Sequence, residues 1–226
     1  MSSSRRYVLI RVNERDVVTK VKVVTGEVIA AFDTTGTWTH KYQAKAKIQP
    51  TSSQLVSAQD TSHIVETLLA ARTPDLPGFL PIGRLYTRLM TLIGNTIINP
   101  GVTQERNRGG ALHEAVCAIL GDDVWKDDGR FPDVKGQLLE VKLQTATTID
   151  LGLVRPDSTE PIEGLPAFRH FDVRYAVFYG SLAPQGVQLN YLALATRTDF
   201  FTFFTQFKGV VQNKKCQIPL PSNFFD

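Results

Sequence analysis

The sequence predicts an α/β domain of the α+β kind: a central mixed β-sheet flanked by helices, with a β-rich arm at its N-terminal side. Three observations predict this. Runs rich in Val and Ile fill much of residues 1–50. Helical periodicity dominates from Ser52 to Leu120. Short, strongly apolar runs then follow one another and end in a short helical pattern. A chain of 226 residues can bury a substantial core as one domain. We therefore read residues 1–226 as a single domain, with 1–50 as an elaboration and 104–207 as the core.

RYVLIRV (Arg6–Val12), VVTKVKVVTG (Val17–Gly26) and EVIAAF (Glu27–Phe32) read as strands, with Gly26 punctuating a hairpin. KYQAKAKIQP (Lys41–Pro50) has period two. It places Lys41, Gln43, Lys45 and Lys47 on one face and Tyr42, Ala44, Ala46 and Ile48 on the other. A first helix is expected over Ser52–Arg72, with Leu55, Ile64, Val65, Leu68 and Leu69 inward. PDLPGFLP (Pro74–Pro81) is a turn-rich link. A second helix is expected over Ile82–Ile98, with Leu85, Leu89, Leu92 and Ile93 on its stripe. RNRGG (Arg106–Gly110) leads into a third, Ala111–Leu120, stopped by Gly121. Leu138–Gln144 reads as a strand and Leu151–Pro166 as a loop. Asp172–Gly180 and Val187–Thr196 read as strands, and Thr198–Phe207 as a helix capped by Thr198 or Asp199.

Composition is that of a soluble globular protein, 42% hydrophobic and 21% charged. No apolar run approaches the roughly 18 residues of a membrane helix, and the first residues lack the long apolar stretch of a signal peptide. The expected location is the cytoplasm of a bacterial or archaeal cell. Cys117 and Cys216 form no CxxC and no zinc pattern; free thiols are expected. A net charge of +3 permits a polyanionic partner without demanding one.

The informative stretch is FPDVKGQLLEVKLQ, Phe131–Gln144. As a strand, its second half sends Leu139, Val141 and Leu143 into a core and Glu140, Lys142 and Gln144 to the other face. Neighbours on that face stand about 6–7 Å apart. A turn at Lys135–Gly136 brings Asp133 alongside. Pro132 cannot donate a ladder bond, so pairing starts or stops there. Two converging carboxylates repel unless a cation holds them. A hard dication such as Mg²⁺ suits carboxylates, a backbone carbonyl and waters. It lowers the pKa of a water and stabilises charge on a phosphate oxygen, and a nearby lysine adds positive charge where the transition state is negative. The same residues can also form an ion pair on an exposed sheet face, with Asp133 a turn former.

Pro132-Asp133 followed by Glu140-Val141-Lys142 resembles the PD-(D/E)xK nuclease motif, in a chain order of helix, motif hairpin, strands and helix that is similar to the family's over Ala111–Phe207. The resemblance implies a restriction-endonuclease-like fold. It implies Asp133 and Glu140 as metal ligands, the Val141 carbonyl as a backbone ligand, and Lys142 as the catalytic lysine. Gln144 resembles a polar position after the lysine, and Glu114 an acid from the preceding helix. The implied activity is that of a type II restriction enzyme: Mg²⁺-dependent, sequence-specific hydrolysis of double-stranded DNA by a homodimer. A repair or recombination nuclease of the same superfamily and a non-catalytic DNA-binding protein are the alternatives.

Other residues carry weaker signals, each with a plain structural alternative. Glu114 points away from the stripe of Leu112, Val116, Ile119 and Leu120; it faces the site or is a solvated acid. His113 reads as a structural histidine. Arg106 and Arg108, beside flexible glycines, can hold DNA phosphates or lie in a solvated loop. Lys41, Lys45 and Lys47, with Lys20 and Lys22 on another strand, can track a nucleic-acid backbone or simply face water. Asp150 and Arg155 fit DNA contact or a dimer surface. The phenylalanines of DFFTFFTQF read as core.

Overall fold

The structure, a computed structural model, describes residues 5–32, 40–70, 78–98, 105–121, 131–152, 154–207, 211–212 and 220–225. The chain forms two compact units, one of residues 1–40 and 211–226 and one of residues 41–210.

In the smaller unit, β1 (Arg6–Val12) and β2 (Val18–Thr25) form an antiparallel hairpin. Its turn is Asn13–Asp16. The Asn13 side-chain carbonyl accepts N–H bonds from Arg15 and Val17, and Asp16 takes a left-handed φ of 57°. Gly26 therefore does not turn a hairpin. Its N–H donates to the Arg5 carbonyl at 2.8 Å, closing the open end. Residues Gly26–Phe32, expected as a strand, are helix α1. Glu27 in the first turn suits the helix dipole, Ala30 and Ala31 are strong helix formers, and Ile29 is buried.

The larger unit begins within β3 (His40–Ala46), followed by β4 (Gln54–Leu55), then α2 (Ser62–Ala70), α3 (Ile82–Met90), β5 (Thr96–Ile98) and α4 (Glu105–Leu120). Then come β6 (Leu139–Gln144), β7 (Thr148–Gly152), β8 (Pro161–Ile162), β9 (Leu165–Arg169), β10 (Arg174–Ala183), β11 (Gly186–Ala195), α5 (Arg197–Phe203) and β12 (Phe204–Gln206). The central sheet runs β4-β11-β10-β6, with β5 also on β11. It is mixed, as expected: β6 and β4 run parallel to their neighbours, while β10–β11 and β5–β11 are antiparallel. A second sheet pairs β3 with β7 and β12.

Alternate residues of β10 feed two apolar clusters. Ala176 and Phe178 join Leu139, Val141, Leu192 and Leu194 under α3 (Leu85, Leu89) and α4 (Leu112, Val116). Tyr175, Val177 and Tyr179 join Ala193, Ala195, Ile149, Phe168, Phe200 and Phe204 on the other side. Phe200, Phe201, Phe203 and Phe204 join the core as read, whereas Phe207 is exposed. Among the described residues, no helix is long and apolar enough to cross a membrane. The Cys117 side chain is buried, and Cys216 lies outside the described residues.

Several element boundaries differ from expectation. Residues 52–61 are not helical: Gln54 and Leu55 lie along β11, and the Ser53 and Ser57 hydroxyls accept N–H bonds from Leu192 and Thr196. The second helix stops at Met90. Gly94, at φ +91°, turns the chain so that the β-branched run Thr96–Ile98 joins β11. RNRGG is not an entrance loop; it lies inside α4, which Gly121 ends with φ +74°. The stretch read as a loop over Leu151–Pro166 holds the end of β7 and the short β8–β9 hairpin. Helix α5 is preceded by Thr196, not Thr198 or Asp199, and Phe204 leaves it to pair with Ala46.

Candidate active site

Among the described residues, strand β6 stands at the end of the central sheet's order, beside β10. A 3₁₀ turn, Lys135–Gln137, and a single antiparallel bridge between Val134 and Leu139 fold the preceding segment back along it. Leu138 closes the turn at φ 45°, an unusual value for a branched residue, with its side chain fully buried. This segment is fastened from below by Arg174. The guanidinium, completely buried, donates to the Gln137 carbonyl through Nε at 3.0 Å and again through Nη2. Its Nη1 donates to the Leu80 carbonyl at 2.6 Å and lies 3.4 Å from Asp60, and its plane covers the Phe79 ring. Burial pushes this guanidinium down to about 10, against the pull of Asp60.

The fold-back brings Asp133 to Glu140. The Asp133 N–H donates to Glu140 Oε2 at 3.2 Å, and the Val141 N–H donates to Asp133 Oδ2 at 2.8 Å. Glu140 Oε1 holds Lys142 Nζ at 2.7 Å. Glu140 is 6% exposed, so this charge lies inside the molecule and needs its cation. Burial alone would lower the Lys142 ammonium. Glu140, Asp133, the hydrogen bond to Glu140 and Asp150 together outweigh it and hold the group above its ordinary value.

The β6–β10 register sets what shares this face: Glu140 stands opposite Tyr175, Lys142 opposite Val177, and Gln144 opposite Tyr179. The hydroxyls of Tyr175 and Tyr179 and Nδ1 of His170 are buried without a hydrogen-bond partner among the described residues. Burial, then the Glu140, Asp157 and Asp133 charges, push the Tyr175 hydroxyl well up. His170 stacks on Phe131 at 4.8 Å; burial pulls its imidazole down, against Glu160 and Glu140.

Asp133, Glu140, Lys142 and the Val141 backbone thus come together, and Gln144 is half-buried on the same face. Glu114 is exposed on α4. Among the described residues no three His, Cys, Asp or Glu side chains gather closely enough to hold a metal ion. His113 is buried on the same helix. Arg106 and Arg108 have helical backbone, not the loop geometry expected, and their side chains lie outside the described residues. Lys45 is exposed on β3 between buried Ala44 and Ala46, as the alternation required. Lys47 is exposed just beyond the strand, while the Lys41 side chain is outside the described set. Lys20 and Lys22 belong to the smaller unit, where Lys22 donates to the Phe224 carbonyl. Arg155 is exposed and paired with Asp157 at 2.7 Å.

Comparison with protein-family models, with curated proteins and with solved structures gives no match. The site must be read from its own geometry. Three residues that sequence reasoning did not place here belong to it. Asp150 alternates with Ile149 and Leu151 on β7, a visible signal, and its charge reaches Lys142. Tyr175 and His170 left no local signal, because only the strand register and the fold of the β9–β10 connection bring them to Glu140.

The donor set suits a hard dication. Mg²⁺ commonly takes one or two carboxylates and completes its shell with water and substrate oxygens. Two carboxylates within one hydrogen-bonded unit match that need in kind.

Proposed function

We propose that the chain is a Mg²⁺-dependent endonuclease that hydrolyses phosphodiester bonds in double-stranded DNA, with the restriction-endonuclease-like core of type II restriction enzymes. The observation that carries this reading is Glu140 held between the Asp133 backbone and the Lys142 ammonium, with the Asp133 carboxylate bonded one residue further along the same strand. Asp133 and Glu140 would hold the metal, with the Val141 carbonyl beside them. Bound there, Mg²⁺ supplies Lewis-acid polarisation of the phosphodiester and an acidified water. Lys142 is tied to Glu140 and kept protonated by three acids. Its part would be to donate hydrogen bonds to the phosphoryl oxygens as they gain charge and to orient the attacking water. Gln144, next along that face, would bond the same water or phosphate. The exposed Lys45 and Lys47 supply sequence-independent attraction to the DNA backbone. Sequence-specific cutting of both strands calls for two copies related by a two-fold axis, acting inside the cell that makes the protein.

Incubating the purified chain with phage DNA, in Mg²⁺ and in EDTA, tests this. Discrete fragments in Mg²⁺ alone are expected. Lys142→Ala should lower the rate by at least about 100-fold, the scale on which a single charge-stabilising donor acts. A Lys142→Ala protein that cuts as fast as the parent removes the role given to that lysine. A smear in place of bands would mark a nuclease that does not read sequence.

A further inference from the structure

The β1–β2 hairpin has two unlike faces. Cross-strand pairs Val8–Val23, Ile10–Val21 and Val12–Val18 stack along one of them, with Arg6–Thr25 at its end. The other carries Tyr7–Val24, Leu9–Lys22 and Arg11–Lys20. That second face is partly covered: Tyr7, Leu9, Lys22 and Val24 are half-buried, and Phe224 receives the Lys22 ammonium. The first is not. Its six Val and Ile residues are exposed by 48% (Val12) to 60% (Val8). Six β-branched apolar side chains in a row on a two-stranded ribbon are a poor solution for a chain alone in water. Isolated hairpins are marginally stable, and contiguous apolar patches of this kind mark interaction surfaces.

We propose that this face is where two copies of the chain meet, hairpin against hairpin across a two-fold axis. The area decides for a second copy. An unfolded chain exposes about 1.45 Å² per dalton, so a Val or Ile residue offers ~150 Å² when fully exposed. Half of that over six residues is ~450 Å² per copy and ~900 Å² for a pair. Arg6, Thr25 and the exposed Val17 at the turn carry the total past the ~1,000 Å² at which specific interfaces begin. A two-fold contact requires the patch to complement itself, and a flat array of Val and Ile does so. Its only charge, Arg6, lies at the end of the array; Arg11, Lys20 and Lys22 sit on the opposite face and do not oppose the approach. Packed this way, each hairpin becomes one layer of a four-stranded sandwich.

This inference stands apart from the nuclease reading, and its test needs no activity. Sedimentation or light scattering of the full chain, in EDTA and without DNA, should give twice the 25.1 kDa chain mass at micromolar concentration. The double substitution Ile10→Thr with Val21→Thr keeps β-branching at both strand positions but makes the centre of the face polar. It should weaken dimerisation by at least about tenfold, with the far-UV circular dichroism of the parent retained. If that protein does not fold, Val8→Thr with Val23→Thr makes the same test from the end of the face. A parent that stays monomeric up to 100-fold higher concentration, or that forms open-ended aggregates without a dimer, overturns the proposal. So does a folded double variant that dimerises as tightly as the parent.

Discussion

Tyr175 faces Glu140 across the parallel β6–β10 ladder, and its hydroxyl is buried with no hydrogen-bond partner among the described residues. A buried polar group without a partner costs about 1–3 kcal/mol. Its ring packs 5.0 Å from Phe200, a contact that phenylalanine would preserve. Tyr175→Phe is therefore expected to leave stability at pH 7 unchanged or to raise it by about 1 kcal/mol, read from urea denaturation. A loss of more than about 1 kcal/mol would mean the hydroxyl is bonded in the folded protein. The pH dependence follows from the same burial. Tyr175 and Tyr179 both have hydroxyls raised above the ordinary tyrosine value by burial. Above about pH 10 the unfolded tyrosines ionise while the folded ones keep their protons. The folded state then binds more protons, and stability falls as pH rises. Lys142, also raised, works in the same direction; Arg174, lowered to about 10, works against it. Denaturation curves at pH 7 and pH 11 should show a clear loss in the parent and a smaller one in Tyr175→Phe. The Asp133, Glu140 and Lys142 cluster was legible in the sequence because one short turn makes it. Tyr175 was not, since nothing local says which residue of β10 will lie beside Glu140.

At the scale of elements, the short, strongly apolar runs were legible, because a strand covered on both faces needs apolar side chains throughout: β6, β10 and β11 lie within three residues of where they were expected. What failed were segments whose conformation is set by a partner. Ser53 and Ser57 give up helix to cap N–H groups of β11 and the residue after it, and Thr96–Ile98 leaves the helical stripe for a free edge of the same strand. Propensity is a weak prior against such contacts. Glu27–Phe32 failed in the other direction, its Val and Ile suggesting a strand where Ala and the buried Ile29 make a helix. The joint that holds β6 and its turn in place is Arg174, which ties Leu80, Gln137 and Asp60 to the start of β10. Asp60 also accepts the Ile82 N–H at 3.0 Å at the start of α3, so one acid serves both elements. Arg174→Met removes the donor, leaving buried carbonyls and a nearly buried carboxylate behind. A loss of about 3–5 kcal/mol is expected, with cleavage falling in parallel. Arg174→Lys should recover little, since an ammonium cannot reproduce the planar fork. A loss below about 1 kcal/mol for Arg174→Met would show that the joint is not what holds the turn.

For the whole molecule, the division into two units makes a claim that neither residues nor elements make alone. Both apolar clusters, the mixed sheet and every member of the proposed site fall within residues 41–210. The smaller unit contributes the hairpin, α1 and the Phe224 contacts. Where length suggested one domain over the full chain, the structure has two compact units, and the residues proposed to hold the metal all lie in the larger one. A fragment of residues 41–210 is accordingly expected to fold. It should unfold cooperatively in urea and, if Asp133 and Glu140 are ligands as proposed, bind Mg²⁺ within about threefold of the full chain by titration calorimetry, because both lie at the β6 turn. It should be monomeric, because it lacks the exposed Val and Ile array, and it should cut DNA poorly if cleavage of both strands needs two copies. These readouts separate three claims. Failure to fold would show that the units are not independent. Folding without Mg²⁺ binding would count against Asp133 and Glu140 as ligands. A folded fragment that still dimerises would move the self-association surface off the hairpin and into the core.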